Sequence, residues 1–113
     1  VRDKLLQYSN FLFENKKVTN LLTEDDIRST GMGQSGEDIQ LSSTARKQIP
    51  YNFECKNVEK LNIWSAISQA EDESKKHKTT PIVVFKRNRT KTYVTMEFDA
   101  FIELLKQSQP YQI

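Results

Sequence analysis

The sequence predicts an α/β fold, a central mixed β-sheet flanked by helices, and three kinds of segment carry that prediction. PIVVFKRN (81–88) is a near-continuous apolar run, typical of a central strand buried on both faces. EDIQLS (37–42) and YNFECKN (51–57) alternate apolar and polar residues with the period of two that a strand imposes. Residues 60–74 place Ile63, Trp64, Ile67 and Ala70 in the apolar stripe of an amphipathic helix.

Each element follows in order. Residues 3–15 set Leu5, Leu6, Phe11, Leu12 and Phe13 in a helical pattern. Thr23 is placed to cap a short helix whose first turn, Glu24-Asp25-Asp26, suits the helix dipole. GMGQSG (31–36) holds all three glycines of the chain and reads as a flexible loop. In EDIQLS, Ile39 and Leu41 face one way, Asp38 and Gln40 the other. SSTARKQIP (42–50) is a connector with room for a turn of helix, closed by Pro50. In YNFECKN, Tyr51, Phe53 and Cys55 share one face and Asn52, Glu54 and Lys56 the opposite one. The helix over 60–74 carries Asn62, Ser65 and Gln69 on a separate polar face, and residues 75–80 form a loop. After the apolar strand, NRTK (88–91) turns the chain into the strand TYVTMEF (92–98). Asp99 caps a last amphipathic helix, DAFIELLKQ, and a loose tail ends the chain.

The 113 residues suit one small domain, taken as 1–113 with a core of about 24–106. No run of 18 apolar residues exists to span a membrane, and the first residues lack the apolar centre of a signal peptide. One cysteine forms no internal disulfide, so a reducing, cytoplasmic setting is the default. The start at Val1, not Met, fits either a fragment or a processed product. The formal net charge of +2 does not by itself argue for nucleic acid. Yet Lys75, Lys76 and Lys78 cluster, and Lys86, Arg87, Arg89 and Lys91 follow. They read either as a solvated surface or as a patch that tracks phosphates.

The chemistry centres on two strands. Laid side by side antiparallel, EDIQLS and YNFECKN let Asp38 meet Glu54, 16 residues later, on a shared face. Two carboxylates that close repel unless a positive charge lies between them. A hard divalent cation does this with oxygen ligands and keeps waters for chemistry. Lys56, on the same face, is placed to hold or tune an attacking water or to steady charge on a phosphate. Phosphodiester hydrolysis needs these parts. Taken alone, Glu54-x-Lys56 is more often a solvated sheet face; Asp38 and the polar helix face after it raise the functional reading.

In this combination, GEDIQLS, NFECKN and IWSAISQAE together resemble the PD-(D/E)xK nuclease superfamily, in particular its small phage-type and Holliday-junction-resolvase-like members. The resemblance covers roughly residues 24–86, and Glu37 stands where the family name has proline. It implies a restriction-endonuclease-like domain in which Asp38 and Glu54 bind metal, with the backbone carbonyl of Cys55 as a further ligand. Lys56 would be the catalytic lysine and Gln69 would position the lysine, the water or a phosphate oxygen. A further acid would come from the segment before the first strand: Glu24 ahead of Asp25 and Asp26, with Glu14 a weaker alternative. The helix dipole accounts for Glu24 equally well.

Other residues have bland readings beside functional ones. Cys55 faces away from Glu54 and reads as a core thiol, and one cysteine with one histidine makes no zinc site. Trp64 reads as core, and His77, in a lysine-rich loop, as exposed, with a phosphate contact as its lesser reading. Ser42, Ser43, Thr44 and Arg46 leave the end of the strand that carries Asp38, as a capped turn or as a phosphate grip. Arg87 and Arg89 either solvate a hairpin turn or contact DNA backbone. GMGQSG lacks the lysine of a phosphate-binding loop and suits a flap instead.

The expected function is therefore Mg²⁺- or Mn²⁺-dependent hydrolysis of DNA by an activated water, without a covalent enzyme intermediate, directed by DNA shape or a branch as in the resolvase-like members it resembles. The expected partner is double-stranded or branched DNA, bound by a homodimer, in a phage-infected bacterial host. A homing or nicking endonuclease with sequence preference is the rival within enzymes. A DNA-binding module of the same fold without cleavage is the rival outside them.

Overall fold

The computed structural model describes residues 1–29 and 39–108. The chain opens with helix α1 (Arg2–Glu14), whose Leu5 and Leu6 lie against an apolar cluster of Leu22, Ile27, Leu41, Ala45 and Ile49. Phe11 and Phe13 stay exposed. Ser9 is fully buried, and its hydroxyl donates to Gln48 Oε1 at 3.0 Å. Gln48 Nε2 in turn donates to Asn20 O at 2.7 Å, so one amide ties three parts of the chain together. Left unpaired, a buried hydroxyl would cost about 1–3 kcal/mol.

The acidic segment after Thr23 departs from expectation. It does not begin a helix but forms a turn that leads into strand β1 (Ile27–Ser29). Asp26 Oδ2 accepts from Thr23 N at 2.9 Å and from Thr23 Oγ1 at 3.2 Å, while Asp26 N donates to Thr23 O at 3.0 Å. The two residues close on each other, and Ile27 is carried fully into the core. A strand of three residues is too short to display an alternating pattern.

β1 pairs antiparallel with β2 (Ile39–Leu41), Ile27 opposite Leu41 and Ser29 opposite Ile39. Among the described residues, β2 takes β1 as its ladder partner, not the YNFECKN strand expected from the sequence. It lies beside that strand by packing: Ile39 borders the same two apolar clusters as Tyr51 and Phe53. Helix α2 (Ser43–Gln48) follows, capped by Ser42, whose Oγ accepts from Ala45 N at 3.1 Å.

The second sheet is mixed. β3 (Tyr51–Asn57) runs parallel to β4 (Thr80–Lys86), and β5 (Tyr93–Met96) pairs antiparallel on the far side of β4. The apolar run is thus the central strand, with Val83 almost fully buried. Helix α3 (Ile63–His77) makes the crossover that two parallel strands require. Asn62 Oδ1 caps it by accepting from Ser65 N at 3.1 Å. It continues through His77, so the expected loop over 75–77 is its last turn, ended by Lys78 in the left-handed region (φ 53).

α3 lays Ala66 and Ala70 on Val83, with Ile63 and Ile67 alongside. Trp64 corrects the core reading: it is 77% exposed. Two alanines at i, i+4 bring the helix close to the sheet, and the contact face centres on them, leaving the indole outside. Helix α4 (Phe98–Ser108) is capped by Glu97, not Asp99: Glu97 Oε2 accepts from Asp99 N at 2.6 Å. The result is a small α/β arrangement, a three-stranded mixed sheet and a two-stranded sheet flanked by helices. Among the described residues no helix is long and apolar enough to cross a membrane.

Candidate active site

The β3–β4 register decides what faces α3. Glu54 lies opposite Val83 and Lys56 opposite Phe85, and both partners pack with the buried face of α3. The alternate residues Phe53 and Cys55 turn to the other side, where Cys55 packs with Ile82 and Val84. The faces assigned from the sequence alternation are therefore the observed ones.

On the α3 side a cleft of about 820 Å³ opens over β3. Ile39, Gln40 and Leu41 of β2 and Arg46 of α2 line it, as do Tyr51 through Lys56. α3 contributes Gln69, Asp72, Glu73, Lys76 and His77, spaced by three and four along one helical face. Small-molecule sites of this size are mostly apolar. The charged and amide side chains of this cleft suit a polar, charged ligand instead.

At the floor, Lys56 Nζ lies 3.1 Å from Glu54 Oε1, with the side chains 7% and 14% exposed. A charge this far from water is strongly penalised unless paired. The pair leaves the second carboxylate oxygen of Glu54 for a further contact. α3 joins two parallel strands, so it runs back against β3. Thr79 Oγ1 donates to Asn52 Oδ1 at 3.2 Å and Thr80 N to Pro50 O at 3.1 Å, which fixes the end of α3 beside the start of β3. Along α3, Gln69, then Asp72 and Glu73, then Lys76 and His77 accordingly step toward the end of β3 that carries Asn52.

The donor chemistry fits a hard divalent cation. Glu54 offers carboxylate oxygen, the only thiol faces the opposite side of the sheet, and among the described residues no thioether lines the cleft. Backbone direction adds a second oxygen. Pro50 O points to β4, and in a parallel ladder the direction alternates, so the backbone groups of odd-numbered residues such as Cys55 turn toward the β2 side. Among the described residues no three His, Cys, Asp or Glu side chains converge to hold a metal ion. Glu54, Asp72 and Glu73 line one cleft but do not form such a set.

Of the residues singled out from the sequence, Glu54, Lys56, Gln69 and Arg46 come together in this cleft, and Cys55 lines it as well. Asp38 lies outside the described residues, as does the GMGQSG loop. Glu24 does not line the cleft; its side chain is 82% exposed and its Oε2 lies 3.7 Å from Arg2 Nη2. The Ser42 hydroxyl is engaged elsewhere, donating to Asp26 Oδ1 at 2.7 Å while capping α2. Thr44 is half-buried on α2, and Arg87 and Arg89 are exposed on the turn before β5; none of the three lines the cleft. Sequence reasoning missed Asp72 and Glu73, and it did not bring Asn52, Lys76 and His77, each noted separately, to this cleft. The signal was available in the i+3, i+4, i+7 and i+8 positions from Gln69, had the helix been continued to His77.

A strand-borne Glu-x-Lys facing a helix-borne glutamine, on a small mixed sheet flanked by helices, is the form of the PD-(D/E)xK class. The family model described as "Phage putative PDDEXK endonuclease" matches residues 15–113, and the chain belongs to that family. No curated protein and no solved structure matches it.

Proposed function

We propose that this protein is a divalent-metal-dependent endonuclease that hydrolyses DNA phosphodiester bonds in the cleft over β3. The observation that carries the reading is the secluded Glu54–Lys56 pair at 3.1 Å on the floor of a polar cleft, in a chain of an endonuclease family. Bound Mg²⁺ or Mn²⁺ would supply Lewis acidity toward the phosphoryl oxygen and an activated water. Glu54 would hold the ion through its free oxygen, with the Cys55 carbonyl as a neighbouring ligand. Asp38, which immediately precedes the cleft-lining Ile39 in the chain, is the second carboxylate of the proposal. Lys56 would orient the water or neutralise charge building on the phosphate, and the Gln69 amide would position one of these.

Residues 1–113 act in this reading as one nuclease domain with its core over about 24–106. So small a surface favours recognition of DNA shape or branching over a long sequence, and a homodimer would double the footprint. Arg46 at the cleft, and Thr44, Arg87 and Arg89 outside it, would contact backbone phosphates.

The test is cleavage of labelled linear, nicked and four-way-junction DNA with Mg²⁺, Mn²⁺ or EDTA, by wild type and Lys56→Ala. Metal-dependent cutting that the variant loses supports the site, and preference for the junction supports structure selectivity. Cutting that follows sequence instead favours a homing or nicking enzyme. Binding without cutting in either metal sinks the enzyme reading.

A further inference from the structure

We propose that the end of the cleft formed by Arg46, Asn52 and His77 is a subsite for a non-scissile phosphate of the DNA strand being cut. The proposal rests on the nuclease reading and adds where the strand runs. Residues of three elements, α2, β3 and α3, contribute to the lining on that side. Arg46 sits four residues before Pro50, at the entry to β3, and lines the cleft. Asn52 is the second residue of β3, and its Oδ1 is occupied by the Thr79 hydroxyl at 3.2 Å, which leaves its amide NH₂ as the donor to the cleft. His77 ends α3 and lines the same cleft.

The side chains of Arg46 and His77 make no hydrogen bond or ion pair among the described residues, so their donor groups are uncommitted. The helix dipole explains a basic residue in the last turn of α3, but not an arginine from α2 and a strand amide lining the same cleft. Glu73 also lines the cleft, and Lys76 Nζ at 3.0 Å balances its charge. Asp72 is the other carboxylate of that helix face and lies further from the C-terminal end of α3. The Arg46 guanidinium, the Asn52 amide and the His77 ring offer N–H donors, the recognition chemistry of a phosphodiester oxygen.

The spacing suits a neighbour of the bond being cut. Asn52 precedes Glu54 by two residues, about 7 Å along a strand. One DNA strand rises about 3.4 Å per phosphate, so a phosphate one or two nucleotides from the cut reaches this end. The DNA strand would therefore lie along β3, between β2 and α3.

The experiment is a scan of duplex and junction oligonucleotides in which one phosphate at a time becomes an uncharged methylphosphonate. KM and kcat are measured for wild type and for the Arg46→Gln/His77→Gln double variant. The expected result is one sensitive position, one or two nucleotides from the cut, where neutralisation raises the wild-type KM about tenfold. The double variant should show a comparable KM increase on unmodified DNA and no further loss at that position, the non-additivity of two partners in one contact. Full sensitivity retained in the variant would overturn the subsite, as would wild-type cutting with no sensitive position near the cut. In both cases the nuclease reading stands. Wild type that cuts no DNA with either metal overturns the nuclease reading and the subsite together.

Discussion

Lys56 Nζ lies 3.1 Å from Glu54 Oε1, and neither side chain is more than 14% exposed. The exposed pairs Lys76–Glu73 and Lys106–Glu103 have similar distances, 3.0 Å each, but water screens them and each is worth at most about 1 kcal/mol. The Glu54–Lys56 pair is different because solvent does not replace a missing partner. Nothing in the apolar core requires charges here; a binding site for something charged does.

Lys56→Ala should therefore have two effects. Metal-free protein at pH 7 should lose about 3 kcal/mol in urea unfolding, since the Glu54 carboxylate keeps its burial and loses its counter-charge. Lys106→Ala should change stability by less than about 0.5 kcal/mol. Cleavage by Lys56→Ala should fall at least about 100-fold under conditions where the variant is fully folded. A Lys56→Ala protein as active as wild type would remove Lys56 from the chemistry.

Glu54→Gln tests the metal separately. Wild type should gain stability with Mg²⁺ or Mn²⁺, about 2.7 kcal/mol at a hundred times the dissociation constant, read as a rise in Tm. Glu54→Gln keeps the shape but loses the anionic oxygen, so its Tm should respond far less. Lys56→Ala should still respond, because a cation takes over the balancing of Glu54. Equal metal-induced shifts in wild type and Glu54→Gln would mean that the carboxylate is not a ligand.

Asp26 contributes to the acid sensitivity of the fold. The Thr23 backbone N–H, then the Ser42 hydroxyl, hold its carboxyl below its ordinary value of 3.8, with a smaller opposing effect from burial. A depressed folded-state value means that the unfolded chain binds the proton more readily. Asp26 thus stabilises the fold above about pH 4, and that contribution is lost as pH falls through its folded value. Asp26→Ala should cost about 1–2 kcal/mol at pH 7 and make the stability profile below pH 4 flatter. Parallel wild-type and variant profiles across pH 2–5 would show that the carboxylate charge is not what matters.

The sequence made β3 and β4 legible because each shows a strand pattern over seven residues, and it made Glu54 and Lys56 legible because a strand has only two faces. It hid β1 because three residues carry no period, and the acidic turn before it mimicked a helix start. The error over Trp64 has a packing cause. Periodicity locates a helix but not which arc of it meets the sheet, and here Ala66 and Ala70, not the largest side chain, define the contact. The cleft wall of Asp72, Glu73, Lys76 and His77 stayed hidden because it requires knowing that α3 runs antiparallel along β3 and extends to His77. The helical spacing from Gln69 puts these residues on one face, but that this face lies over β3 is a property of the β3–α3–β4 crossover, which no local pattern states.

Lys78 ends that helix in a conformation that suits glycine. Its φ of 53 lies in the left-handed region, and its backbone N–H donates to Ser74 O as the cap. A side chain with a Cβ pays a steric penalty there of roughly 1 kcal/mol that glycine avoids. Glycine costs more entropy in unfolding terms and gives up the favourable charge at a helix C-terminus, so the net gain is smaller. Lys78→Gly should raise the urea midpoint by an amount equivalent to about 0.5 kcal/mol. Lys75→Gly, inside the last turn, should lower it by about 1 kcal/mol. The opposite signs for two lysines three residues apart test the position where α3 ends, and with it the placement of His77 at the cleft. If both substitutions destabilised equally, the helix would continue past Lys78, and His77 would no longer mark its end beside Asn52.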